Sequence, residues 1–169
     1  MKKELKFISL ILIGNLVFGI GIYFKLKPTY EITPKPLPLY ANAEQIYTDY
    51  ARGYTTLINC NYFRKTYPRY RKVLIKHNEV FFAYSTDPIM KDNYAVTITE
   101  ENTIYLSDNF FAVKDAAYRE GIIGHELMHI IGMPNHKNDN MSRADIIKDA
   151  IYITEHWCYH GDHPWTGND

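Results

Sequence analysis

His125, Glu126 and His129 stand in the run His125-Glu126-Leu127-Met128-His129-Ile130-Ile131-Gly132-Met133-Pro134-Asn135-His136. On a helix, residues four apart share one face about a turn apart, so two imidazoles at this spacing can reach one metal ion. Glu126 is offset by one position and reaches a water beside the metal rather than the metal. The pattern therefore asks for a well-formed helix with one side against a core and the two histidines on a face open to a ligand. Two histidines and a glutamate on so apolar a helix are costly to bury without a metal or other partners.

The flanking sequence supplies such a helix. Residues 115–124 read as helix with an acidic start, and Ala117, Ile123, Leu127, Ile130 and Ile131 give it buried faces. Gly132 stands where the helix should stop, because glycine accepts the left-handed backbone of a C-cap. Pro134 forbids continuation. The chain is expected to turn sharply there and to deliver His136 back toward the metal.

The run resembles the metzincin clan of zinc peptidases, whose signature is H-E-x-x-H-x-x-G-x-x-H followed by a methionine turn. His125, Glu126, His129 and Gly132 match it. The third ligand departs: the family position falls on Asn135, and His136 comes one residue late. Snapalysin-like members carry an aspartate there in a Gly-Leu-Pro-Asp-His context, and Gly132-Met133-Pro134-Asn135-His136 is similar to that with asparagine in its place. His136 is the expected third ligand, because imidazole is a strong zinc donor and a carboxamide oxygen a poor one. Asn135, Asp139 and a downstream glutamate are the alternatives.

The resemblance extends to Met141 and Ser142, which match the methionine of the turn beneath the metal and its follower. Met141 can equally be a core residue, and Ser142 the N-cap of the next helix with Asp145 near its positive end. A last helix is expected over 143–157, from the apolar stripes of Ala144, Ile147, Ile151 and Thr154 with Ile146, Ala150 and Ile153. A second ligand scheme takes Glu155 from that helix as the third ligand. It leaves Gly132 and His136 unexplained, so the metzincin-like set His125, His129 and His136 is preferred.

The charge is balanced, with nineteen basic and nineteen acidic residues, and nothing points to nucleic-acid binding. Lys2, Lys3 and Lys6 precede an almost continuous apolar run over 7–24. At about 1.5 Å per residue such a helix nearly spans a bilayer core. No small-residue cleavage site follows it closely, so residues 1–27 read as an uncleaved signal-anchor in preference to a cleaved signal peptide or a buried helix. The slight excess of lysines before the span points to a single-pass anchor with the domain outside the cytosol, or to secretion if the segment is removed. Pro28, Pro34, Pro36 and Pro38 make 28–40 a semi-rigid spacer. The catalytic domain is then 41–169.

Within it, 43–58 reads as a helix, with Ile46, Tyr47, Tyr50, Ala51 and Tyr54 at helical spacing. Strands are expected over 72–76, 79–84, 94–99 and 103–107, with a tight turn at Glu100-Glu101-Asn102. The fold class is α+β: a small domain with one mixed sheet, the active helix and a C-terminal helix, as the resemblance also implies. Cys60 and Cys158 are the only cysteines and can form a disulfide in an oxidising compartment. His156, Cys158, His160, Asp162 and His163 crowd the tail; a polar surface is the preferred reading over a second metal site.

These expectations combine into a zinc-dependent endopeptidase with one catalytic Zn2+ and a peptide or protein substrate. Glu126 acts as general base toward a water activated by zinc held on His125, His129 and His136. By analogy with the family, an extended peptide pairs with an exposed sheet edge, for which 103–107 is the expected strand. Tyr118, Tyr152 and Tyr159 are conceivable transition-state donors. The competing readings are a membrane-anchored binding or structural protein with a non-catalytic zinc site, and a degenerate peptidase silenced by Asn135.

Overall fold

The computed structural model describes residues 32–77, 79–134 and 143–161. The expected membrane segment lies outside them, as do Asn135, His136, Asp139, Met141, Ser142, Asp162 and His163. Among the described residues no helix is long and apolar enough to cross a membrane.

The described unit is α+β. In chain order it comprises α1 (Ala43–Asn59), α2 (Asn61–Thr66), α3 (Pro68–Lys76), β1 (Phe81–Tyr84), β2 (Ala95–Ile98), β3 (Thr103–Leu106), α4 (Asp108–Ala112), α5 (Ala116–Ile130), α6 (Arg143–Ile146) and α7 (Ala150–Glu155), with a π-helical turn over His156–His160. The three strands form one mixed sheet in the order β1-β3-β2. β1 runs parallel to β3, with Phe82 opposite Ile104. β2 runs antiparallel to it, with Ala95 opposite Leu106 and Thr97 opposite Ile104. The β2–β3 connection is a 3-10 turn over Thr99–Glu101 closed by Asn102 in the left-handed region, as the Glu-Glu-Asn sequence suggests.

The period-2 pleat divides β3 between two cores. Ile104 and Leu106 face the helices, joining Leu57, Phe63, Leu74, Phe110, Ile123, Leu127, Met128 and Ile151. Tyr105 faces the other way, onto Ile32 and Met90. Ile32 thus belongs to the folded unit, and the Lys35 amide donates to the Tyr84 carbonyl at 2.8 Å. Part of the expected spacer is packed onto the domain. All four β3 residues are buried, so this strand is central. The sheet edge expected at 103–107 lies instead at β2.

Two other expectations are corrected. Residues 72–76 are helical, not a strand. Pro68 at the first helical position starts α3, and the alternation of exposed Val73, buried Leu74 and exposed Ile75 is one edge of a helix rather than a pleat. The expected continuous helix over 143–157 is interrupted. Asp149 accepts from the amides of Ile151 and Tyr152 and begins a new helix, α7.

α1 and α5 cross closely at Gly53, where an added Cβ would stand 2.8 Å from the Glu120 carbonyl oxygen. The crossing is tied beside it by a buried ion pair, with Arg119 Nε 2.7 Å from Asp49 Oδ2. Cys60 and Cys158 form a disulfide that joins the end of α1 to the C-terminal turn.

Candidate active site

Asp115 caps α5, accepting from the amides of Ala117 and Tyr118. Its far end closes as expected from the sequence. Gly132 adopts φ +79°, its amide donates to the His129 carbonyl at 2.9 Å, and the Met133 amide donates to the Met128 carbonyl at 3.0 Å. These two bonds are a Schellman closure, which satisfies carbonyls that the helix end would leave orphaned.

From Gly121 to Ile130 every residue of α5 is buried except His125 and His129, which are half-buried. Apolar residues on the other faces anchor the helix in the core. The i, i+4 pair is left at the boundary between core and solvent. The two imidazole centroids lie 5.1 Å apart, with ring planes at 62°. Two imidazoles sharing one tetrahedral zinc at Zn–N of 2.0–2.1 Å would have centroids about 5 Å apart. The pair fits zinc in donor chemistry and in spacing. His136 lies outside the described residues, and among those described no group of three or more histidine, cysteine or acidic residues is placed to hold a metal.

Glu126 is buried, and Thr97 Oγ1 donates to its Oε2 at 2.6 Å. Thr97 lies on β2 and shares the helix-facing side of the sheet with Ala95, so strand pleat and helix face converge on this carboxylate. The sequence gives Thr97 away only by its place in the alternation: a polar β-branched residue where the strand turns inward.

His125 Nδ1 lies 2.8 Å from Glu155 Oε2 on α7, and the Tyr152 ring stands edge-on with its centroid 5.0 Å from that of His125. Burial of the His125 ring works against its protonation. The hydrogen-bonded Glu155 carboxylate, with Glu126 and Asp149 nearby, outweighs that and holds its pKa above the ordinary histidine value. The downstream glutamate weighed as a metal ligand is therefore brought to the site, at the Nδ1 edge of His125.

A cavity of about 300 Å³ opens beside these groups, lined in part by His125, Glu126, Tyr94, Tyr118, Tyr152 and Glu155. Of the three tyrosines considered as donors, Tyr118 and Tyr152 reach this cavity. Burial, and then the hydrogen bond with Tyr94, push the Tyr118 phenol up to about 12, so it stays protonated and able to donate at neutral pH. Tyr159 is committed elsewhere: its hydroxyl donates to the Gly53 carbonyl at 2.6 Å. In the tail, Cys158 is spent in the disulfide and so is not available for the second metal site considered there. The His156 and His160 rings lie 5.2 Å apart with their planes tilted by 57°.

Comparison with known protein families, with characterised proteins and with solved structures finds no match.

Proposed function

We propose that this domain is a zinc-dependent peptidase. The observation that carries the reading is the placement of Glu126. Its carboxylate is held by Thr97 at the wall of an open cavity, next in sequence to one of two imidazoles that share a face at metal-pair spacing. His125 and His129 would hold the ion, with His136 as the third ligand. Zinc, when bound, supplies Lewis acidity, lowering the pKa of a water and polarising a peptide carbonyl.

The chain's own groups do the rest. Glu126 accepts the proton of the attacking water and returns it to the leaving amine. Thr97 holds the carboxylate in place for this transfer by donating to its Oε2. Tyr118 and Tyr152 border the cavity with side chains of a kind suited to a developing oxyanion. An extended peptide pairs with the outer edge of β2, which has β3 on its other side and α5 next to it. The Cys60–Cys158 disulfide favours an oxidising compartment, in keeping with a catalytic domain held outside the cytosol by the N-terminal segment or secreted after its removal.

The test is Glu126→Gln in the full chain. Zinc content should equal that of the wild type, and peptide hydrolysis should fall by roughly 10²–10⁴-fold, the range of a lost general base. Undiminished cleavage by the variant, or a wild-type chain that neither takes up zinc nor cleaves peptides, overturns the proposal.

A further inference from the structure

We infer that Glu155 is a positioning residue for His125: its carboxylate fixes the tautomer and orientation of the ring, so that Nε2 is the nitrogen presented to a cation. The inference rests on the reading of His125 as a metal ligand and extends it to a residue outside the motif.

The contact is short, at 2.8 Å, and both side chains are largely withdrawn from solvent, at 13% exposure for His125 and 15% for Glu155. A neutral imidazole carries one proton, and the nitrogen that holds it is set by the hydrogen bond the ring makes. A carboxylate accepts and does not donate, so at Nδ1 it selects the Nδ1–H form. It also places Glu155 at the ring edge opposite the ligating nitrogen, which makes it an orienting group and not a ligand. Such outer carboxylates raise the basicity of a ligating histidine and hold its plane.

Glu155 is itself firmly placed. α7 begins at the Asp149 cap. Beyond Glu155 the chain is fixed by the Cys158 disulfide to α1 and by the Tyr159 hydroxyl on the Gly53 carbonyl. The approach of α7 to α5 runs over two glycines. A Cβ on Gly121 would lie 3.8 Å from Glu155 Oε1, and one on Gly124 would collide with the Tyr159 ring. Tyr152, one turn before Glu155, sets its ring against the same imidazole. One short helix thus holds His125 both at a nitrogen and at the ring.

The experiment uses the full chain as wild type, Glu155→Gln, Glu155→Ala and, as a control, Asn42→Ala, which removes the α1 cap instead. Side-chain nitrogen NMR of the metal-free protein in mildly alkaline buffer reads the His125 tautomer. Competition with a chromophoric chelator reads zinc affinity. Wild type should show Nδ1–H. Glu155→Ala should shift toward Nε2–H and bind zinc about 10–100-fold more weakly. Glu155→Gln keeps a neutral acceptor of similar shape and should fall between. Asn42→Ala should leave both readouts unchanged.

A wild-type tautomer retained in Glu155→Gln and Glu155→Ala, or zinc affinity unaltered in both, overturns the inference while leaving the peptidase reading intact. If wild type takes up no zinc, the peptidase reading fails and the tautomer alone decides: its loss on substitution supports the positioning role, and its persistence overturns it.

Discussion

A Cβ added to Gly124 would stand 1.9 Å from the Tyr159 hydroxyl oxygen. Tyr159 passes over α5 at this glycine to reach the Gly53 carbonyl on α1, so three segments meet where only a hydrogen fits. Gly124 immediately precedes His125, and Tyr159 follows Glu155 by one helical turn, so the same close approach sets the distance between imidazole and carboxylate. Gly124→Ala should destabilise the domain by about 1–3 kcal/mol, the usual cost of overpacking, and should weaken zinc uptake with it. Denaturant unfolding with a parallel zinc titration checks both. An unchanged midpoint would show that the tail does not seat on α5 in this way.

Thr97→Val removes the hydroxyl that donates to Glu126 and keeps the β-branched shape. Peptide hydrolysis should fall by about 10-fold or more, as for other residues that orient catalytic groups, with zinc content unchanged because the Thr97 hydroxyl bonds to Glu126. Thr97→Ser should recover most of the loss. Steady-state rates with metal analysis on the same samples separate this from a general loss of folding.

The helix of the motif, its acidic cap and its glycine stop were legible because each depends on local chemistry: spacing, an aspartate before the first turn, and a residue that tolerates positive φ. The mixed sheet was legible from three of four expected strands. The fourth misled because Val73 and Ile75 flank Leu74 in a run of β-formers, whereas Pro68 and the burial of Leu74 against α1 and α2 decide for helix. The strand expected at the edge, 103–107, is the centre of the sheet, because strand order depends on long-range pairing that no local pattern records. For the same reason the contacts of Thr97 with Glu126 and of Glu155 with His125 were out of reach: each bond spans 29 or 30 residues of sequence. The Cys60–Cys158 pairing was open in sequence and is formed in the fold.

The disulfide closes a loop with a sequence separation of 98 residues. Loss of so long a cross-link typically costs about 2–5 kcal/mol. Reduction, or Cys60→Ser with Cys158→Ser, should lower the melting temperature and loosen the C-terminal turn. Because that turn holds Glu155 in place, zinc affinity should drop even at temperatures where the domain remains folded. Thermal melts with and without reductant, followed by zinc competition on the double variant, test this. Equal affinity in the two forms would mean that α7 seats without the cross-link.

Asp108 links Tyr40, just before α1, to Tyr84 on β1. Its Oδ1 accepts from the Tyr84 hydroxyl at 2.7 Å and from the Tyr40 hydroxyl. These two hydrogen bonds, Tyr40 first, hold its carboxyl below the usual aspartate range, against a smaller effect of desolvation. A carboxyl whose folded pKa is depressed binds fewer protons folded than unfolded, so its stabilising contribution is present above the ordinary value of 3.8 and is lost as pH falls through the lower folded value. Melting temperature measured across that acid window should therefore fall more steeply for wild type than for Asp108→Asn, which has no proton to take up. The difference should be small, because Asp108 is exposed and water competes for its oxygens. Parallel curves for the two proteins would mean that the tyrosine hydroxyls do not distinguish the ionised carboxylate from its neutral form.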